Sequence, residues 1–180
     1  MKIRKAGHLR SRRVFSVCCF GVFVFATMAL PLTRPDLSLR RDQISDLLVG
    51  EGSAAAVAAF LALAAGSALL GQEYWRRGRQ LTSAVLLLFA AATAVAGLTA
   101  PSSAQHNVAA LAAFLAGPIA AASAGWLPPR ARISWAVALI GSFALWPLGA
   151  GLGERATVYG EILFFAYLSA TAERLPSPPR

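Results

Sequence analysis

A few side chains in this sequence have chemistry beyond packing or anchoring: Ser45, Asp46, His106 and Glu161, and with them Arg41, Asp42, Glu154 and Arg155. Hydroxyl, imidazole and carboxylate together are the parts of a nucleophile, its base and an orienting group. Ser45 has no nucleophile elbow or glycine-rich oxyanion loop around it, so a hydrogen bond within its own helix is the competing role. His106 stands beside Asn107 at the start of an apolar run, where it is a general base, a ligand or an interfacial cap. Glu161 lies two helical turns beyond Glu154 on one face, with Val158 between them. A carboxylate at that depth in an apolar segment costs roughly 3 kcal/mol unless it is paired, protonated or hydrated. It is therefore a proton-handling or substrate-contacting group, or one half of an ion pair with Arg41 or Arg155.

Arg41, Asp42, Glu154 and Arg155 supply both signs of charge. They form either an ion-paired plug or a cluster in which Arg41 or Arg155 holds an anionic headgroup. One histidine with scattered acids has no paired ligand spacing, so no metal site is expected, and no cofactor.

The stretch Leu39–Leu48 must position several of these groups. Ile44, Leu47 and Leu48 repeat at i, i+3, i+4, and Asp42, Ser45 and Asp46 repeat that spacing on another face. This predicts a short amphipathic helix. Ser38 is placed to cap it, and Gly50 and Gly52 to close it. Arg34, Arg40 and Arg41 stand against Asp36, Asp42, Asp46 and Glu51, a balance that favours an ordered, ion-paired cap over a floppy tether.

The rest of the chain is built for lipid. Of its 180 residues 57% are hydrophobic and 14% charged, and apolar runs recur at bilayer-spanning length. The expected fold is all-α, a polytopic membrane protein with a compact bundle of six transmembrane helices plus the short amphipathic outer helix. Residues 1–13 read as a basic cytoplasmic tail, 14–174 as a single membrane domain and 175–180 as a Pro-rich tail. The spans are expected at about 14–32, 53–70, 81–100, 108–127, 133–152 and 156–172. The first resembles a signal peptide, with Thr27-Met28-Ala29 as a cleavage site. Its length and the spans behind it favour a retained helix. Ala54, Ala58, Ala62 and Gly66 form a small-residue stripe suited to close helix contact, as do Gly117, Ala121 and Gly125. Pro118 is placed to kink the fourth span, and Trp135 and Trp146 to sit near the ends of the fifth. The adjacent Cys18 and Cys19 are packing or lipid-facing residues.

The formal charge of +9 is concentrated at helix ends. Basic residues cluster before the first span, at Arg76, Arg77 and Arg79, at Arg130 and Arg132, and in the carboxyl tail. With both termini cytoplasmic, only Arg34, Arg40, Arg41 and Arg155 fall outside, as the positive-inside rule requires. This places the protein in the cell (plasma) membrane, multi-pass. It also gathers the 33–52 loop, the His106 turn and the Glu154-Arg155 turn at the outer end. Membrane lipids, or another membrane protein, are the expected partners, and nucleic acid is not.

Three landmarks occur in order: Ile44-Ser45-Asp46-Leu47, His106, and Gly151-Leu152-Gly153-Glu154-Arg155. With six short spans they resemble the bacterial and archaeal membrane family known as domain of unknown function 998. Its members look like six-helix bundles with an Ile-Ser-x-Leu-Gly type motif, an outer-side histidine and a Glu-Arg pair before the last helix. The resemblance carries Ser45, Asp46, His106, Glu154 and Arg155 over as the residues of interest. Leu48 stands where the family's loop usually has glycine, and Pro101 to Gln105 lack the acidic residue that often precedes the histidine. A wider likeness to six-span proteins of lipid and GPI-anchor handling rests on fold-level analogy through the Ile-Ser-Asp element. The expected function is an accessory or lipid-interacting protein with an ion-paired polar cluster at the outer face. The alternative is a membrane-embedded enzyme acting on a lipid or polyprenyl-type substrate at the outer leaflet. A transporter fits least, since Gly117-Pro118 is the sole suggestion of a broken helix.

Overall fold

The computed structural model describes residues 2–172, with side chains from residue 11. The basic side chains before Ser11, and the tail from Glu173 with its Pro-rich end, lie outside the described residues. The helices are α1 (Lys2–Thr33), α2 (Ser53–Arg76), α3 (Gln80–Leu98), α4 (Ala104–Ser123), α5 (Pro129–Ser142) and α6 (Ala150–Thr171). Two short 3-10 helices interrupt them, Ile44–Leu48 in the first loop and Phe143–Leu148 between α5 and α6. There is no strand among the described residues. Each helix packs on its neighbours in sequence, and α6 closes the bundle against α1.

Polarity is distributed as lipid requires. Ser67, Thr82, Ser83, Thr93, His106, Thr157 and Glu161 are buried, while Phe25, Leu81, Val108, Ile133 and Leu163 face outward. Water would reverse that arrangement; hydrocarbon rewards it, because polar groups then find partners inside the bundle. Among the described residues, five helical segments are long and apolar enough to cross a bilayer: Ser11–Thr33, Ser53–Arg76, Gln80–Leu98, Ala104–Ser123 and Pro129–Leu148. The remaining helix, α6, carries Glu154, Arg155 and Glu161. It is the most enclosed stretch of the bundle, with Phe164, Phe165 and Leu168 fully buried. α1 is a full member of the bundle, burying Phe20 and Phe23 against Phe165 and Phe60.

Several local expectations change. α1 runs through Pro31, which sits in its last turn, and stops before Pro35. The fifth apolar run is not one helix. Pro147 cannot donate to the ladder, so the segment tightens to a 3-10 helix at Phe143 and ends at Gly149, whose φ of 149° is open to glycine. α6 then starts at Ala150, so Gly153, Glu154 and Arg155 lie in its first turns and not in a loop. The stripe on α2 faces mainly outward: Ala54 and Ala58 are exposed, and only Gly66 is buried. There an added Cβ would sit 2.8 Å from Phe20 and 2.9 Å from Cys19, so glycine sets the α1–α2 approach.

At the basic end, Glu73 is buried and accepts from Arg77 at 2.7 Å and Arg13 at 3.4 Å. Arg79 lies 5.5 Å over the Trp126 ring, which stacks on Tyr74. The opposite end carries the first loop.

Candidate functional site

The first loop is held down by backbone, not by ion pairs. The first turn of a helix has N–H groups without intrahelical partners. In α6 two of them are taken by the loop: Gly151 N–H donates to the Arg41 carbonyl at 3.2 Å and Leu152 N–H to the Arg40 carbonyl at 3.1 Å. Arg155 completes the row. Its Nη1 donates to the carbonyls of Asp42 at 2.7 Å, Leu39 at 3.0 Å and Gly151 at 3.2 Å. Four consecutive loop carbonyls, 39–42, are thus bound by one helix start. Glu154 holds the next amide, accepting from Ile44 N–H at 2.6 Å. The glycines are needed for this approach: a Cβ on Gly151 would overlap the Asp42 carbonyl, and one on Gly149 the Arg40 carbonyl. A Cβ on Gly153 would meet Trp146 at 2.5 Å. The Gly-Leu-Gly-Glu-Arg run is a latch for the first loop.

The expected ion-paired cluster is therefore corrected. Among the described residues the pair at this end is Arg34 with Asp36, at 2.7 Å. The Arg34 guanidinium holds the Asp36 carboxyl below its usual range. Arg34 also donates to the Val49 carbonyl at 2.6 Å, tying the loop's ends together. Asp42 accepts from Ser38 N–H at 2.5 Å and Asp46 from Gln43 N–H at 2.6 Å. The short helix is a five-residue 3-10 helix, and Gln43 stands at its start where Ser38 was expected. Arg41 is exposed and contributes its carbonyl.

Beneath the latched loop lies a small cavity of about 40 Å³, room for no more than a few water-sized groups. Its walls are largely apolar: Phe23, Ile44, Phe60, Leu63, Phe89, Ala96, Ala110, Ala113, Phe114 and Val158. Ser45, Thr93, His106, Glu154 and Glu161 also line it. A second, more open groove runs outward from it, between α4 (His106, Asn107, Ala110, Leu111, Phe114) and the 3-10 segment (Phe143, Trp146). The two share Ser45, His106, Ala110, Phe114 and Glu154 as a common wall. Leu111 on that groove faces outward from the bundle, so the groove opens sideways.

Each polar group in the cavity has a definite setting. Ser103 caps α4, its hydroxyl accepting from His106 N–H at 3.1 Å, so His106 lies in the helix's first turn. His106 Nδ1 lies 2.9 Å from the Ala96 carbonyl. A carbonyl only accepts, so Nδ1 carries the proton, and a neutral ring presents Nε2 as the basic nitrogen. Ser45 Oγ makes a long contact of 3.4 Å to Gln43 Oε1. Glu161 is fully buried without a cation: its Oε1 accepts from Gly117 N–H at 3.1 Å. The expected pairing of Glu161 with Arg41 or Arg155 does not form.

The candidate residues thus divide. Asp42, Asp46, Glu154 and Arg155 hold backbone, with Glu154 also bordering the cavity; Ser45, His106 and Glu161 face it. Thr93 joins the second group, and Gly117 holds Glu161 in place through its N–H. Thr93 carried no signal beyond a hydroxyl within an apolar run, and Gly117 read only as a packing residue. No group of three or more His, Cys, Asp or Glu residues suited to a metal ion occurs among the described residues.

Fold and site together define a helical, multi-pass membrane protein with a latched loop over a largely apolar cavity that Ser45, His106 and Glu161 border. The match to the family described as protein of unknown function (DUF998) covers residues 17–171, and the chain belongs to that family. No curated protein and no solved structure matches it.

Proposed function

We propose that this protein binds a lipid drawn from the outer leaflet of the cell membrane, with the first loop outside and both termini in the cytoplasm. The orientation follows from charge: Arg12, Arg13, Arg76, Arg77, Arg79, Arg130 and Arg132 mark the end opposite the loop. The observation that carries the lipid reading is the sideways groove between α4 and Phe143–Leu148, which abuts the cavity lined by Ser45, His106 and Glu161. A merely structural plug would close that space. Here the latch residues close only the top, and the path faces the hydrocarbon.

The test is to extract lipid from the purified protein and from an Ala110→Phe variant. Ala110 lies on the wall shared by groove and cavity. A lipid retained by the wild type should be depleted in the variant. Equal lipid content in both would refute the reading.

A second reading, an enzyme acting on that lipid, is favoured by the tautomer of His106. With Nδ1 committed to Ala96, Nε2 is placed as a general base in a cavity that Ser45 also lines. His106→Ala should then alter the lipid profile of cells carrying the gene, whereas Asp46→Asn should not, because Asp46 serves the loop. An unchanged profile with His106→Ala would leave binding without catalysis.

A further inference from the structure

Two oxygens in the cavity wall have no hydrogen-bond partner, Thr93 Oγ1 on α3 and Glu161 Oε2 on α6. Thr93 is 4% exposed and Glu161 0%. Both omissions are unusual for their surroundings. A helical threonine normally bonds back to a carbonyl one turn earlier, as Thr27 does to Phe23 and Thr157 to Gly153. Thr93 does not. Glu161 is no loosely placed side chain either, since its other oxygen is pinned by Gly117 N–H, and a Cβ on Gly117 would overlap the carboxyl group. Buried polar atoms are rarely left unpaired, because each forfeits its bonds to water and gains nothing in return.

A ligand that both donates and accepts would complete this pair. From the rest of the wall, Phe23, Phe60, Leu63 and Phe89 offer it only hydrocarbon. A carboxylate or phosphate would bring a second acidic group toward Glu161, and an ester carbonyl has no donor. A hydroxyl has one of each. Resting on the lipid reading above, we infer that the cavity recognises the hydroxyl of a long-chain alcohol lipid, which donates to Glu161 and accepts from Thr93. The aliphatic chain then leaves along the apolar groove past Phe114, Phe143 and Trp146. Water carries the same donor and acceptor, so the chain-bearing alcohol must be distinguished from it.

Dodecanol and dodecyl methyl ether provide the probes, titrated into the full-length protein in detergent with tryptophan fluorescence as the signal, since Trp146 lines the groove. The ether keeps the chain and the oxygen but loses the donor. Dodecanol should bind about tenfold or more tightly than the ether, and Thr93→Val should shrink that preference to about threefold or less. Equal binding of both probes to the wild type would overturn the hydroxyl inference, leave the lipid pocket standing and assign the two oxygens to water. Binding of neither would overturn the lipid reading and the inference with it. Full preference retained in Thr93→Val would also overturn the inference.

Discussion

Replacing Gly151 with alanine should free the first loop without unfolding the bundle. The new Cβ would overlap the Asp42 carbonyl and lie 2.9 Å from Arg155 Nη1. The carbonyl is backbone, so the loop must move. What it loses can be itemised: two amide bonds, to the Arg40 and Arg41 carbonyls, and two guanidinium bonds, to those of Leu39 and Asp42. A neutral bond contributes about 1 kcal/mol net and one to a charged group about 1.5–3 kcal/mol. Losing the two Arg155 bonds alone comes to at least roughly 3 kcal/mol. Alanine returns up to about 1 kcal/mol of helix propensity. The net loosening of about 2–3 kcal/mol raises the open fraction of the loop roughly thirty- to 150-fold. Hydrogen exchange of the protein in lipid nanodiscs reads this directly, because protected amides exchange in proportion to local opening. Amides of residues 42–48 should exchange roughly thirty- to 150-fold faster, while those of α2 and α3 stay as they were. Gly141→Ala is the control, since a Cβ there meets nothing within 4 Å. Wild-type exchange in a folded Gly151→Ala protein would refute the latch.

Arg155→Lys should loosen the same loop by about 2 kcal/mol, because an ammonium on a flexible stem does not reproduce the guanidinium's hold on carbonyls from two segments; matching exchange rates would contradict this. Gly117→Ala should destabilise the bundle by about 1–3 kcal/mol, since its Cβ overlaps the Glu161 carboxyl group. Adding Glu161→Ala should recover part of that loss, and strictly additive costs in thermal unfolding would show that the two do not couple. Asp36 should titrate below the usual aspartate pKa of about 3.9. Its folded-state value is depressed, so its contribution to the loop is present above that range and fades as pH falls through the lowered value. Carboxyl carbon chemical shifts would follow this, and Arg34→Met should return Asp36 toward the ordinary value.

The helices were legible because apolar runs of spanning length leave little choice in lipid. The gathering of Ser45, His106 and Glu154 at one end was legible from charge and helix count. The split between lock and cavity was not. An α-helical template puts Asp42, Ser45 and Asp46 on one polar face. The stretch instead folds as a 3-10 helix, with about three residues per turn. Ser45 then turns to the cavity beside Ile44, while Asp46 bends back to its own backbone. Arg155 read as a partner for acids because charge is visible in sequence and free carbonyls are not. The break at Phe143 was announced by Pro147 and hidden by the hydrophobicity around it. The outward turn of Ala54 and Ala58 has the same origin, since spacing marks a face of a helix without saying what the face meets.

The latch also dictates an order of assembly. Ile44 and Glu154 are 110 residues apart. At a synthesis rate of about 5–20 residues per second, the loop waits roughly 5–20 seconds for the residues that will bind it. During that interval its carbonyls face solvent or other proteins, and the cavity has no roof. Damage to the Gly-Leu-Gly-Glu-Arg run would thus surface as a biogenesis defect, a nascent protein held longer by chaperones or proteases, before it surfaced as a loss of activity.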